Sequence, residues 1–373
     1  MKDVNITIVG GGLSGLISAI HLARVGIKAY VIEKKMYPFH RVCGEYVSNE
    51  VLPYLEELGC HPRELGPKSI QRFELTSVNG RSAALPLDLG GFGISRYAFD
   101  QFLYQKALSH GVRFSLLTEV EKVDFNGSQF IIRTQNDERA ADVVIGSFGK
   151  RSRLDGYLHR GFFGRRSPYV GVKYHIHLSD FPDDLIALHN FKDGYCGISR
   201  VEGDRINLCY LSHRDNLKKF GNVRDMETGV LYQNPFLRDI FNRATFLFEK
   251  PEVINEISFE TKGPVEQHIL MTGDAAGMIT PLCGNGMALA IHGAKVLSEH
   301  VLRYCEDRTY NRARMELDYA QAWNHLFARR LWAGRQIQRL FGGVWSSNLA
   351  VSLATATPGV ARYLMGKTHG QPF

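Results

Sequence analysis

The chain has 373 residues, 44% hydrophobic and 22% charged, an ordinary globular balance with length enough for two or three packed units. Its net charge of +7 is spread out, and no basic helix or aromatic-basic module marks a nucleic-acid binder. The six cysteines (Cys43, Cys60, Cys196, Cys209, Cys283, Cys305) show neither CxxC nor zinc-ligand spacing, which excludes a disulfide framework and a thiolate metal site and suits a cytoplasmic protein. Met1-Lys2-Asp3-Val4 runs straight into the first strand, with no secretory pattern. The charge suits anionic small molecules, an acidic carrier protein or an anionic membrane surface.

Asn5 to Val9 is β-branched and apolar, as a buried parallel strand should be. Gly10-Gly11-Gly12-Leu13-Ser14-Gly15 follows, and helical spacing begins near Ser14. A second apolar strand, Ala29 to Ile32, ends on Glu33, which completes a βαβ unit. In such a unit Gly10 permits the tight turn, Gly12 lets the backbone approach a pyrophosphate and Gly15 lets helix and strand pack closely. The helix N-terminus attracts the anion, and Glu33 is placed to bind ribose hydroxyls.

The stretch Tyr37 to Glu45 reads as a loop and Val47 to Leu58 as a short helical segment. Asn79-Gly80 predicts a hairpin within Ser69 to Leu87, and Arg96 opens an amphipathic helix, Phe99 to Leu108. Strands are expected at Val112 to Leu117, Lys122 to Phe125, Phe130 to Thr134 and Ala141 to Ile145. Period-two alternation from Tyr169 to Leu211 predicts an antiparallel sheet separate from the parallel one. After a helical, Pro-interrupted stretch, a strand at His268 to Thr272 ends on Gly273-Asp274-Ala275-Ala276-Gly277. Pro281 to Gly286 leads into a long helix, Met287 to Tyr304.

The tail from Asn311 is helical and basic, with Arg312, Arg314, Arg329, Arg330, Arg335 and Arg339, and has no charge from Leu340 to Ala361. Gly342-Gly343, Ser346-Ser347-Asn348 and Pro358 argue against a membrane span there. The tail is expected to cover a greasy pocket, with peripheral membrane contact as the second reading.

Taken together, the βαβ unit, Arg96, the segment Asp142 to Ser152 and Gly273-Asp274 resemble the para-hydroxybenzoate hydroxylase fold of FAD proteins over nearly the whole chain. The resemblance implies a mixed α/β fold: a Rossmann-like FAD-binding domain with a parallel sheet, an interleaved antiparallel substrate domain and a helical C-terminus. The corresponding limits are 1–68, 94–160 and 255–304 for the FAD-binding domain, 69–93 and 161–254 for the substrate domain, and 305–373 for the tail. It also implies which residues hold FAD. Gly10, Gly12, Leu13, Ser14, Gly15, Glu33, Lys34 and Val120 serve the ADP half, and Arg41, Val42, Cys43, Arg96 and Gly149 come from the following motifs. Gly273 and Asp274 serve the ribityl-phosphate region, and Gly284, Asn285, Gly286 and Met287 bring a helix N-terminus to the flavin.

Within that fold, Arg41-Val42-Cys43-Gly44-Glu45 and Gly273 to Gly277 look like the geranylgeranyl reductase branch, which makes Cys43 a candidate for tuning or proton handling. Two departures stand out. The reductases carry Tyr-x-Trp-x-Phe-Pro, where Gly194-Tyr195-Cys196-Gly197-Ile198-Ser199-Arg200 here keeps only the Tyr. The middle motif, which ordinarily ends in Asp-Gly, ends in Phe148-Gly149.

The expected activity is FAD-dependent oxidoreduction of a bulky hydrophobic, isoprenoid- or polyketide-like substrate, free or carrier-bound. Hydroxylation leads, because the prenyl-reductase motif is broken, and reduction of a carbon–carbon double bond is the alternative. No second GxGxxG is present, so NAD(P)H is expected to dock transiently or a protein partner to supply electrons; Lys150, Arg151 and Arg153 are candidates to meet a phosphate. Halogenation is disfavoured by the absence of Trp-x-Trp-x-Ile-Pro. A non-catalytic prenyl carrier is disfavoured by the intact Glu33 and Asp274. His40 and His292 receive no role, and a Cys43–Cys283 pairing is left open.

Overall fold

The computed structural model describes every residue except Met1, Arg166, Glu256, Ser258, Arg339 and Leu340, so Arg339 and the start of the uncharged run lie outside the described residues. A six-stranded sheet runs in the order Val265–Glu266, Ile269–Met271, Val143–Gly146, Ile6–Val9, Ala29–Ile32, Arg113–Ser115. All neighbours are parallel except the first pair. Ile6–Val9 and Val143–Gly146 are buried along their whole length, in one core with the helices Leu13–Arg24 and Gly286–Glu306 and with Val123, Phe130 and Ile132. Leu13–Arg24 packs against the long helix Gly286–Glu306 and against Arg96–Ser109.

A nine-stranded sheet holds Tyr169–His177, Leu185–Phe191, Gly194–Arg200 and Ile206–His213, joined by the hairpin Lys68–Thr76 and Ser82–Gly93. Its outer face is closed by Arg214–Phe220, Val223–Val230 and Pro235–Arg243, which share a core with Val172, Ile198 and Leu208. A small antiparallel sheet, Val120–Phe125, Phe130–Thr134 and Glu138–Ala141, has its own hydrogen-bond ladder but packs into the core of the parallel sheet. The tail forms Arg312–Gln338, Val344–Ala356 and Pro358–Gly366.

Local signals and tertiary pairing disagree in four places. Val47 to Leu58 is not one helical stretch: Tyr46–Ser48 is a strand on the nine-stranded sheet, followed by a 3-10 turn and Leu52–Glu57. Ala141 to Ile145 is divided, because Asp142 leaves one sheet as Val143 enters another; the Asp142 carboxylate accepts from the Asn5 amide at 2.8 Å, at the far end of the strand from the glycine turn. The larger sheet is not wholly antiparallel, since Leu185–Phe191 runs parallel to Lys68–Thr76. Finally, the hairpin expected within Ser69 to Leu87 extends past it, since Ser82–Gly93 is one strand: a Cβ at Gly93 would lie 1.8 Å from the Arg200 carbonyl oxygen, so this glycine serves close packing.

Candidate functional site

One elongated cavity of about 820 Å³ runs from the C-terminal edge of the parallel sheet to the inner face of the larger sheet. Its position follows from the turn after Ile6–Val9. Gly10 has a φ of 103°, and a Cβ there would lie 2.5 Å from the Ser147 carbonyl oxygen. Gly15 packs still closer, 2.1 Å from the Gly10 carbonyl oxygen for an added Cβ. Gly15 is therefore a packing residue and does not reach the cavity wall. A Cβ at Gly12 would instead point into open space, 4.0 Å from an Nη2 of both Arg41 and Arg96.

Those two guanidinium groups share one carboxylate. Asp100, 1% exposed, receives Arg96 Nε and Nη2 at 2.7 Å each and Arg41 Nε at 3.1 Å. Burial works against the Arg96 charge, but the Asp100 carboxylate outweighs it and holds the group firmly cationic. Arg41 Nη2 is shut off from solvent, makes no hydrogen bond among the described residues and sits 3.6 Å from Glu33 Oε2. A buried donor without a partner costs about 1–3 kcal/mol, more for a charged group, so this atom is built for an acceptor brought by a ligand. With the helix start at Leu13 and the open Gly12, it fits a pyrophosphate.

Glu33 accepts from the Gly11 amide at 2.8 Å and the Lys35 amide at 3.0 Å, which fixes its carboxylate at the end of Ala29–Ile32. Tyr37 donates to the Gly11 carbonyl and holds the loop against the turn. Lys34 and Val120 line the cavity beside Glu33, where they would flank an adenosine. Across the sheet, Gly273 has a φ of 60°, and a Cβ there would lie 2.5 Å from Ser14 Oγ, so the first and last motifs touch. Asp274 faces the cavity, and its carboxylate makes no hydrogen bond among the described residues. Gly284, Gly286 and Met287 line the cavity at the start of Gly286–Glu306, where they would meet a flavin ring.

Asn285 does not join them. Its side chain donates to Glu50 Oε1 at 2.7 Å and to the Thr368 carbonyl at 3.1 Å, away from the cavity. Gly149, with a φ of 87° and no atom within 4 Å of an added Cβ, also faces open space, beside Phe148. Val42 and Cys43 are on the wall, and Cys43 is half-buried with a free thiol.

The far part of the cavity is apolar. Leu75, Leu85, Ile186, Leu188 and Leu211 come from the larger sheet, and Phe341, Ala350, Leu353, Ala354 and Val360 close it from the tail. Tyr195 lines this lobe with a buried hydroxyl that lacks a hydrogen-bond partner. Alternation sends Cys196 and Ile198 into the opposite core while Gly197 faces the lobe. A Cβ at Gly197 would meet nothing nearer than the Cys209 carbonyl oxygen, at 3.7 Å.

Residues 3–182 match the family model for the FAD binding domain. The chain is 24% identical to conditioned medium factor receptor 1 of Dictyostelium discoideum over 82% of its own length, though it spans only 64% of that relative. It is 25% identical to digeranylgeranylglycerophospholipid reductase of Methanocaldococcus jannaschii, covering 89% of this chain and 88% of the other. It is 24% identical to 3-hydroxybenzoate 6-hydroxylase of Klebsiella oxytoca, covering 91% and 89%. The solved structure of a geranylgeranyl bacteriochlorophyll reductase-like protein from Thermoplasma acidophilum superposes with a TM-score of 0.77 at 17% identity, covering 99% and 96%. The chain is an FAD-dependent oxidoreductase of the para-hydroxybenzoate hydroxylase fold.

Three features of this flavoprotein have no motif-level signal in the sequence. Glu45 is wholly buried at a left-handed φ of 54°, and it ties the Cys43 loop to two other elements. It accepts from Lys173 Nζ, from the Arg96 amide at 2.8 Å and from His175 Nε2 at 2.7 Å. Burial pushes its carboxyl up, but Lys173 and His175 outweigh that and hold it below the usual glutamate range. Second, Lys262 donates to the Lys150 carbonyl at 2.6 Å and the Asp274 carbonyl at 2.9 Å, bridging two strand-end motifs; burial lowers its pKa to about 8. Third, Glu202 accepts from the Ser95 amide at 2.7 Å and holds the start of the Arg96 helix. These partners lie far apart in the chain, and only alternation in Tyr169–His177, which puts Lys173 and His175 on one face, hinted at the first.

The candidate phosphate contacts divide. Lys150 donates to the Val42 carbonyl at 3.3 Å and Arg151 to the Phe163 carbonyl at 2.6 Å, while Arg153 is exposed near Glu119. His40 reaches the cavity wall, where burial beside Lys173 and His175 pushes its pKa down to about 4. His292 lies elsewhere, stacked on Phe373. All six cysteines are free.

Proposed function

We propose that the enzyme hydroxylates a bulky hydrophobic substrate, isoprenoid- or polyketide-like, with NAD(P)H docking transiently to supply electrons. FAD, when bound, supplies the redox chemistry, and the chain supplies orientation, electrostatics and exclusion of water. Glu33, Arg41, Arg96 and Asp274 would hold the cofactor, and the apolar lobe would hold the substrate beyond it. The observation that carries the reading is Gly197. It stands where the reductases' motif has Trp, and an added Cβ there finds open space, so the lobe is wider than a Trp-lined channel and suits rings better than a single chain. The hydroxylase relative supports the same reading. Tyr195 offers its unpartnered hydroxyl to a polar group of the substrate.

A second reading, reduction of a carbon–carbon double bond, is favoured by Cys43, a thiol on the cavity wall able to pass a proton, and by the reductase relative. The test is product analysis by mass spectrometry. The enzyme is supplied with NADPH or NADH and a panel of terpenoid and polyketide compounds, with oxygen and under anaerobic conditions. A product that gains one oxygen atom, formed only in air, supports hydroxylation. A product that gains two hydrogens without oxygen overturns it in favour of reduction. Absence of oxidation of both NADPH and NADH on every substrate removes the nicotinamide from the proposal.

A further inference from the structure

We infer that the two C-terminal helices dock on an anionic lipid surface and open the apolar lobe towards it. Three observations converge. The first is charge. Residues 319–373 hold six of the chain's 45 Lys and Arg and none of its 38 Asp and Glu, so this tail carries +6 of the net +7 while the rest is close to neutral. Arg330 is taken up by the buried Glu50, but Arg329, Arg362 and Lys367 are exposed, and cations so placed suit a surface of anionic headgroups.

The second is an exposed apolar face. The helix Val344–Ala356 contains no charged residue, buries Ser347, Val351 and Ala354, and turns Trp345, Leu349 and Leu353 outward at four-residue spacing. Trp345 is 78% exposed. In Pro358–Gly366 no residue is buried, and Val360, Tyr363 and Leu364 are exposed beside Arg362. An ordinary surface helix would carry charge on its outer face. Trp and Tyr together with flanking Arg and Lys are instead what a headgroup boundary accommodates. Among the described residues no helix is long and apolar enough to cross a membrane, so the contact inferred is peripheral.

The third observation ties the face to the site. Leu353, Val360 and Leu364 line the cavity and are also about half exposed, so the cavity opens between these helices, within the apolar patch. A hydrophobic substrate could pass from lipid to the lobe without crossing water. That last step rests on the substrate class proposed above; the docking itself does not.

Vesicle co-sedimentation of the FAD-loaded full chain tests the docking without turnover, so its failure and failure of the proposed reaction are separable. Vesicles of phosphatidylcholine alone are compared with vesicles containing phosphatidylglycerol, at low and high salt. Sedimentation with the anionic vesicles, weakened by salt, is expected. It should fall roughly tenfold in Trp345→Ser/Leu349→Ser, whose exposed positions leave flavin content and melting unchanged. Tyr363→Ser is a second variant, in the neighbouring helix. A chain that stays in the supernatant with both vesicles overturns the inference. So does sedimentation that neither variant changes. A dimer in sedimentation velocity that Trp345→Ser converts to monomer overturns it as well, by assigning the face to a second copy.

Discussion

The two ends of the cavity are built on opposite principles. At the cofactor end the charged wall residues are positioned by polar contacts made before any ligand arrives: Asp100 holds two guanidinium groups, Glu33 is tied to the Gly11 amide, and Glu45 joins three elements. At the substrate end the walls are largely apolar, the Tyr195 hydroxyl has no hydrogen-bond partner among the described residues, and two partly exposed helices close the lobe. The difference teaches which end tolerates change. A directional, charged site fails when a single partner is removed, whereas an apolar lobe fails only in proportion to the volume altered.

The sharpest way to break this contrast is Asp100→Ala. It strands the buried Arg96 guanidinium and frees the partly exposed Arg41, and removing one partner of such a cluster costs about 3–5 kcal/mol. Melting temperature should drop steeply in the apo-protein and recover in part on adding FAD, whose phosphates would replace the lost carboxylate. A drop that FAD leaves unchanged would mean that the arginines do not face the cofactor.

Glu45→Gln is next, at about 3 kcal/mol for an interrupted buried ion network. Its pH signature has a definite sign. Because the folded carboxyl titrates below its ordinary range, the stabilisation is present above that range and is lost as pH falls through the folded value. The variant should therefore show a flatter acid limb in a plot of melting temperature against pH. Parallel curves for the variant and the parent would contradict the assignment.

Arg41→Met should leave the fold intact, since its side chain is 30% exposed, and should weaken FAD binding by roughly tenfold to a hundredfold, the worth of a charge-assisted hydrogen bond or two. Flavin fluorescence titration reads this directly.

The smallest effect belongs to the apolar end. Gly197→Leu adds a side chain where there is room, so FAD content and melting should match the parent. Loss of lobe volume should lower kcat/KM for a bulky substrate by about tenfold, near 1.4 kcal/mol. A variant that instead loses flavin would place Gly197 on the cofactor side of the cavity and erase the contrast.

The turn at the edge of the parallel sheet was legible in the sequence because its signals are local. Gly10, Gly12 and Glu33 follow a spacing dictated by one βαβ unit, and Gly273-Asp274 ends a strand that the same sheet must place nearby. At Asn285 the structure adds what spacing does not show: its neighbours Gly284 and Gly286 line the cavity, while its own side chain turns to Glu50. Val47 to Leu58 misled because Tyr46–Ser48 finds its hydrogen-bonding partners in Gly91 to Gly93, some 45 residues away, and local periodicity carries no trace of that pairing.

The sequence by itself therefore determined the parallel sheet, the glycine turn, the cofactor class and the helical character of the tail, because each depends on period, turn chemistry or spacing within about thirty residues. Only the tertiary structure decided that Asp100 shares its charge between Arg41 and Arg96 and that Glu45 meets Lys173 and His175. It also decided that Gly197 faces a lobe closed by helices 150 residues later in the chain. These are contacts between distant segments, chosen by which faces must be buried together.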